Sequence, residues 1–263
     1  MARLRIIDAH LHCGIQKVRW PWEQVQPFLK DAGITGAGVM APVEDIYDRY
    51  DFGFQDTPEW KLCRRRANLY VAGVRDAEIT IYPYFFVWND FAGEDLAPEF
   101  MGIKWHRHAD EPEYHYDDPR CREFIDLATR RRLPILLEET FETTCRFILE
   151  LAPAATVIIP HLGMLNGGYR RLEAAGIFAL PRVYADTALA APGEMQAYID
   201  AHGWERLIFG SDFPFGRPAA ELDKVLRLGL PAAATQAVLA ENWLRCAEAI
   251  SGGTAGESEK GGL

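Results

Sequence analysis

The chain of 263 residues is poor in cysteine, and none of it is arranged for a thiolate site: Cys13, Cys63, Cys121, Cys145 and Cys246 are an odd count with no CxxC pair. A disulfide framework and a cysteine zinc site are thereby excluded, and the expected compartment is a reducing cytoplasm. Long apolar runs are also missing. No stretch approaches the ~18 uninterrupted apolar residues of a membrane span. The apolar part of the opening MARLRIIDAHLH is too short and too charged for a signal peptide. Basic excess is lacking as well: the formal net charge is −10. No nucleic-acid partner is expected, because phosphate binding needs a basic face. A small molecule remains as the partner, since a pocket can hold Arg inside an acidic protein. No repeat of 20–50 residues is present.

What the sequence does contain is alternation. Short apolar runs at 4–12 (LRIIDAHLH), 35–43, 82–90, 101–108, 133–139, 156–163, 183–189 and 207–213 (LIFGSDF) read as eight strands. They are apolar enough to be buried on both faces, as in a parallel sheet covered by helices. The segments between them carry helical stripes. Cys121, Phe124, Ile125 and Ala128 follow an Asp118-Pro119 start signal, and Phe141, Cys145, Ile148 and Leu149 form another stripe. One unit is irregular, with only DFAGEDLAPEF between strands three and four. The pattern predicts an α/β fold, a (β/α)8 TIM barrel over residues 1–250, and a disordered Gly-rich tail at 251–263.

The strongest chemical signal is His10-Leu11-His12 at the end of strand one. Strand side chains alternate, so Asp8, His10 and His12 share a face and the two imidazoles can converge on one cation. His161 follows the apolar run VIIP, and Asp212 follows LIFGS. Both stand where a barrel strand emerges at its C-terminal rim, where such folds keep their active sites. Strands one, six and eight can bring these four residues together only if the barrel closes. Aromatic and basic residues near strand ends are candidate substrate contacts: Trp20, Trp22, Tyr47, Tyr50, Trp88, Asn89, Trp105, Arg107, His108 and Arg217. Arg107 or Arg217 would clamp a carboxylate.

In order, IIDAHLH, GIKWH, LPILLEE, IIPHLG and IFGSDFPFG, with the closing VLAENWLRC, resemble the amidohydrolase-related (amidohydrolase family 2) metal-dependent hydrolases of the TIM-barrel type. The resemblance spans about residues 4–250. It implies that His10 and His12 ligate a divalent metal ion, zinc or else manganese. It implies that Asp212 approaches the metal and acts as general base, and that His161 polarises the substrate. Lys104 and His106, in the strand-four GxKxH segment, would reach the substrate. The chain departs from the family's pattern at strand five, where Glu138 stands in place of the usual ligand His. A carboxylate can bind Zn²⁺ or the harder Mn²⁺, so Glu138 is a candidate ligand. The alternatives are that Glu138 is an acidic rim residue only, or that Glu139 is the inward-facing one.

The expected activity is metal-assisted hydrolysis of a small ester, lactone or amide. Three other readings stay open: non-oxidative decarboxylation of an aromatic or unsaturated acid, metal-free lactone hydrolysis, and a barrel kept as a binding scaffold. Exposed strand-end aromatics would suit a homodimer.

Overall fold

Each apolar run pairs in parallel with the next, so the sheet order follows the chain. In the computed structural model, which describes residues 4–251, the eight strands are β1 (Ile7–His12), β2 (Gly36–Met40), β3 (Thr80–Phe86), β4 (Gly102–His106), β5 (Ile135–Glu138), β6 (Val157–Ile159), β7 (Val183–Asp186) and β8 (Leu207–Ile208). The predicted tail beyond Ser251 lies outside the described residues. Closure is made by backbone hydrogen bonds between the two ends of the sheet. Ala9 N–H donates to Phe209 C=O at 3.0 Å, and His12 N–H donates to Phe213 C=O at 2.8 Å. Leu11 and Phe213 form a parallel bridge. Gly210 permits this approach, because a Cβ there would lie 2.9 Å from His10 Cβ. The result is a (β/α)8 TIM barrel.

Helices cover the outside. α1 (Pro119–Arg130) follows β4, and the sequence signals hold there. Asp118 caps the helix by accepting from Arg120 N–H at 2.9 Å, Pro119 occupies the first turn, and Cys121, Phe124, Ile125 and Ala128 are all buried. Burial of Phe124 and Ile125 contributes about 2 kcal/mol each. The short crossover between β3 and β4 contains a single 3-10 turn, Gly93–Asp95, in place of a helix.

Most predicted runs outlast their strands. The run at 82–90 leaves the strand at Phe86 and that at 156–163 at Ile159, while that at 207–213 leaves it at Ile208 and keeps only the bridge at Phe213 beyond. Residues at a barrel mouth are buried as deeply as those in the sheet, so hydrophobicity does not mark where pairing stops. The second helical stripe also changes. Phe141–Arg146 is α-helical, but Phe147–Leu151 is a π-helical turn. The shifted register buries Phe147 and Ile148 and leaves Leu149 exposed.

Candidate active site

The strand ends bring His10, His12 and Asp212 together: one ligand atom from each lies within 4.8 Å of the other two. His10 Nε2 and His12 Nε2 each stand 3.3 Å from Asp212 Oδ1. The far nitrogen of each ring is committed to the protein. His12 Nδ1 is 2.9 Å from Ala41 C=O and donates to it, and His10 Nδ1 is 2.8 Å from Asp186 Oδ2. These bonds orient both rings and turn each Nε2 toward Asp212, with Lys104 Nζ also 3.2 Å from that of His10. Burial holds His10 well below its usual pKa, so its ring is neutral. Burial alone would raise Asp212, but its contacts with His10, His12 and the protonated His161 outweigh that and hold the carboxyl below its usual value. Two imidazoles and one carboxylate are a donor set that fits Zn²⁺ or Mn²⁺.

His161 completes the third side. Its Nδ1 donates to Ala188 C=O at 2.9 Å, and its Nε2 lies 3.8 Å from Asp212 Oδ2 and 3.6 Å from Glu138 Oε2. Burial pulls its pKa down, but the hydrogen bond and charge of Glu138 outweigh that and raise it to about 9. The protonated ring directs its Nε2–H between Glu138 and Asp212, just behind the cavity wall that these two carboxylates form. His161 and Asp212 both adopt left-handed backbone, with φ of 57° and 54°. For residues other than glycine this is strained, and such strain gathers at functional positions.

Glu138 turns to different partners. It receives His108 Nε2 at 2.6 Å, His106 Nε2 at 3.2 Å and Lys104 Nζ at 3.3 Å. Burial alone would raise its pKa, yet His106 and Lys104 outweigh that and keep it well below the usual carboxylate range. Lys104 is fully buried and also lies 3.2 Å from His10 Nε2. Glu139 points elsewhere: Tyr116 O–H donates to it at 2.6 Å, and Arg107 stands 3.6 Å away.

A cavity of about 140 Å³ opens onto these groups. His12, His106, His108, Glu138 and Asp212 form its polar wall, Val43, Leu165, Leu189 and Phe215 its apolar wall, and Arg49 its edge. A smaller apolar lobe of about 30 Å³, lined by Val18, Trp20, Pro42, Val43 and Phe215, adjoins it at His12. Lys104 lies beneath the cavity rather than in its wall. Two residues expected at the substrate line other clefts. Trp88 stacks on Tyr47 at 3.9 Å and borders an outer cleft with Phe54 and Tyr114. Arg107 pairs with Glu113 and Glu139 at 3.6 Å each and borders a cleft with Tyr116.

Sequence reasoning gave no role to Asp186, Glu111 or Arg49. Asp186 ends an apolar strand just as Asp212 follows one, so its place was legible. Its hydrogen bond to His10 was not. His10, His161 and Asp186 form a second close group of metal-ligand types, and Glu111, with His106 and His108, forms a third that shares no residue with the others. Arg49 occupies that group, donating to Glu111 Oε1 from Nε at 2.7 Å and to His108 Nδ1 at 3.1 Å. A guanidinium in that place opposes a metal cation there.

Fold and site together define a TIM-barrel enzyme with its reactive groups at the C-terminal rim. The chain belongs to the amidohydrolase family, whose model, described as Amidohydrolase, matches residues 7–246. A search of curated proteins finds no match. Solved structures share the architecture. The 2,6-dihydroxybenzoate decarboxylase from Rhizobium is 14% identical, with a TM-score of 0.67, covering 95% of this chain and 99% of its own. A dihydroxybenzoic acid decarboxylase from Polaromonas sp. JS666, with bound manganese and the inhibitor 2-nitroresorcinol, is 13% identical, with a TM-score of 0.70, covering 94% and 97%. A protein from Pseudomonas putida named as a candidate 2-pyrone-4,6-dicarboxylic acid hydrolase is 17% identical, with a TM-score of 0.68, covering 96% and 99%. Identities this low carry the fold and leave the reaction to the site itself. Among the described residues, no helix is long and apolar enough to cross a membrane.

Proposed function

We propose that the protein is a metal-dependent hydrolase of a small carbonyl substrate: an ester, lactone or amide. The observation that carries this reading is the convergence of His10 Nε2, His12 Nε2 and Asp212 within 4.8 Å, with both His Nδ1 atoms already bonded to protein acceptors. A divalent cation bound by His10, His12 and Asp212, zinc or manganese, would supply Lewis acidity at an open position beside the cavity. The chain's own groups supply the rest. Asp212 Oδ1 faces the two imidazoles, which leaves Oδ2 to accept the proton of an attacking water. His161 Nε2–H, 3.8 Å from Asp212 Oδ2, would serve as the donor to the oxygen on which negative charge develops. The His161–Ala188 bond fixes the ring's direction. The apolar wall of Val43, Leu165, Leu189 and Phe215 holds the rest of the substrate and excludes water.

The test is turnover of a panel of esters, lactones and amides by protein stripped with chelator and then reloaded with Zn²⁺ or Mn²⁺. Hydrolysis that disappears on stripping and returns on loading supports the reading. Undiminished hydrolysis by stripped protein would replace it with the metal-free lactonase reading. A second reading, decarboxylation of an aromatic acid, is supported by the decarboxylases among the structural neighbours, one of them with manganese. Release of CO₂ from 2,6-dihydroxybenzoate without ester or lactone hydrolysis would establish it.

A further inference from the structure

We propose that Glu138 determines specificity: its carboxylate occupies the anion position at the cavity floor and confines the site to uncharged carbonyl substrates. The proposal rests on the hydrolytic reading above and names its substrate class.

Three observations support it. The first is the saturation of Glu138 by its own neighbours. A carboxylate offers about four lone-pair directions. His106 and His108 face Oε1, at 3.2 and 2.6 Å, while Lys104 and His161 face Oε2, at 3.3 and 3.6 Å. The proton on His108 Nε2 is fixed from behind, because Arg49 donates to its Nδ1 at 3.1 Å. A ring of donors of this kind is what an acidic substrate would seek, and the chain fills it with a residue of its own.

The second observation concerns the remaining cation. Arg49 reaches the cavity edge but is engaged by Glu111 through Nε at 2.7 Å and by Glu44 at 3.5 Å. Among the described residues lining the cavity, no Lys or Arg lacks a carboxylate partner. The third is the balance of charge in the wall. A substrate carboxylate entering here would face Glu138 and Asp212 beside the imidazoles of His12, His106 and His108, with an apolar surface on the other side and the wall's one guanidinium, Arg49, already held by Glu111 and Glu44. A divalent cation held by His10, His12 and Asp212 would already be answered by Asp212 and, through His10, by Asp186. An ester, lactone or amide asks only for a hydrogen-bond donor at its oxygen and apolar contact for its body. Both are present.

The test compares an isosteric pair that differs in charge. Benzamide and benzoate are titrated calorimetrically into wild-type protein and Glu138→Gln, each stripped and Zn²⁺-loaded. A like charge at about 5 Å in a partly screened site weakens binding by about 100-fold. Wild type should therefore bind benzamide at least about tenfold more tightly than benzoate. Glu138→Gln keeps the shape and removes the charge, so benzoate should gain about tenfold or more while benzamide changes by less than about threefold. The proposal is overturned if wild type binds benzoate as tightly as benzamide, if it binds neither, or if a folded Glu138→Gln leaves benzoate unchanged. The wild-type comparison decides by itself should the variant not fold. A preference for benzamide in a protein that hydrolyses no ester, lactone or amide would sink the hydrolytic reading and leave the role of Glu138 intact.

Discussion

Asp186 Oδ2 lies 2.8 Å from His10 Nδ1, and its other oxygen accepts from the backbone N–H of His161 at 2.8 Å. One buried carboxylate thus orients two of the site's imidazole-bearing segments. It holds the His10 ring and pins the strained turn that carries His161. Asp186→Asn keeps the shape but offers His10 an amide in place of a charged acceptor. Metal affinity, measured by competition with a chromophoric chelator, should fall by about 10- to 100-fold while the fold persists. Unchanged affinity would remove Asp186 from the site's design.

Asp212 is the group to which the proton transfer is assigned. Burial works against its charge, but His10 and His12 keep its pKa below the ordinary 3.8. It is therefore ionised across the neutral range and competent to accept a proton there. Asp212→Asn removes that capacity with little change of volume. The expected result is a fall in kcat of about 10²- to 10⁴-fold with KM within about threefold at saturating Zn²⁺. A variant that lost only metal affinity, with kcat restored by excess metal, would make Asp212 a ligand without a role in proton transfer.

The barrel was legible because both of its periods are strong in the sequence. Eight apolar runs gave eight strands, and the α1 stripe from Cys121 to Ala128 is buried as its spacing required. The rim was less legible. His161 and Asp212 sit in left-handed turns; Pro160 and Gly210 signal a break in each strand, but neither says that the His or the Asp itself takes up left-handed backbone. The hairpin pairing Gly14–Ile15 with Arg19–Trp20 was missed because two-residue strands have no period. In the site, spacing could place His10 and His12 on one face. It could not reveal that Glu138 is bound by Lys104, His106 and His108, because those contacts cross between strands and out to the loop after β4. Trp88 and Arg107 show the same limit: proximity to a strand end in sequence does not say which cleft a side chain enters.

Gly210 offers a test of closure itself. Its missing side chain lets the last strand segment reach β1, and a Cβ would come 2.9 Å from His10 Cβ and 3.6 Å from Ala188 Cβ. Neither neighbour is the far end of a flexible chain, so the backbone has to move. Gly210→Ala should destabilise the protein by about 1–3 kcal/mol in chemical denaturation. It should also weaken metal binding, because His10 is the atom group displaced. A variant as stable as wild type would show that the two strand ends are farther apart than described.

Glu139 gives the clearest dependence on pH outside the group formed by His10, His12 and Asp212. Burial raises its pKa from 4.5 to about 7, only partly offset by the Tyr116 hydroxyl and Arg107. A carboxyl raised on folding binds its proton more tightly in the native state than in the unfolded chain. Between pH 4.5 and 7 the native state therefore holds more protons, and its stability falls as pH rises through that window. Below 4.5 both states are protonated, and above 7 neither is, so the loss is confined there and amounts to about 3 kcal/mol at most. Glu139→Gln cannot ionise. It keeps an acceptor for the Tyr116 hydroxyl, although its amide cannot replace both carboxylate oxygens. The stability difference between the variant and wild type should shift in the variant's favour from pH 4.5 to pH 7 and then level off. Parallel stability profiles for the two proteins across that window would show that Glu139 is ionised throughout, held so by Arg107.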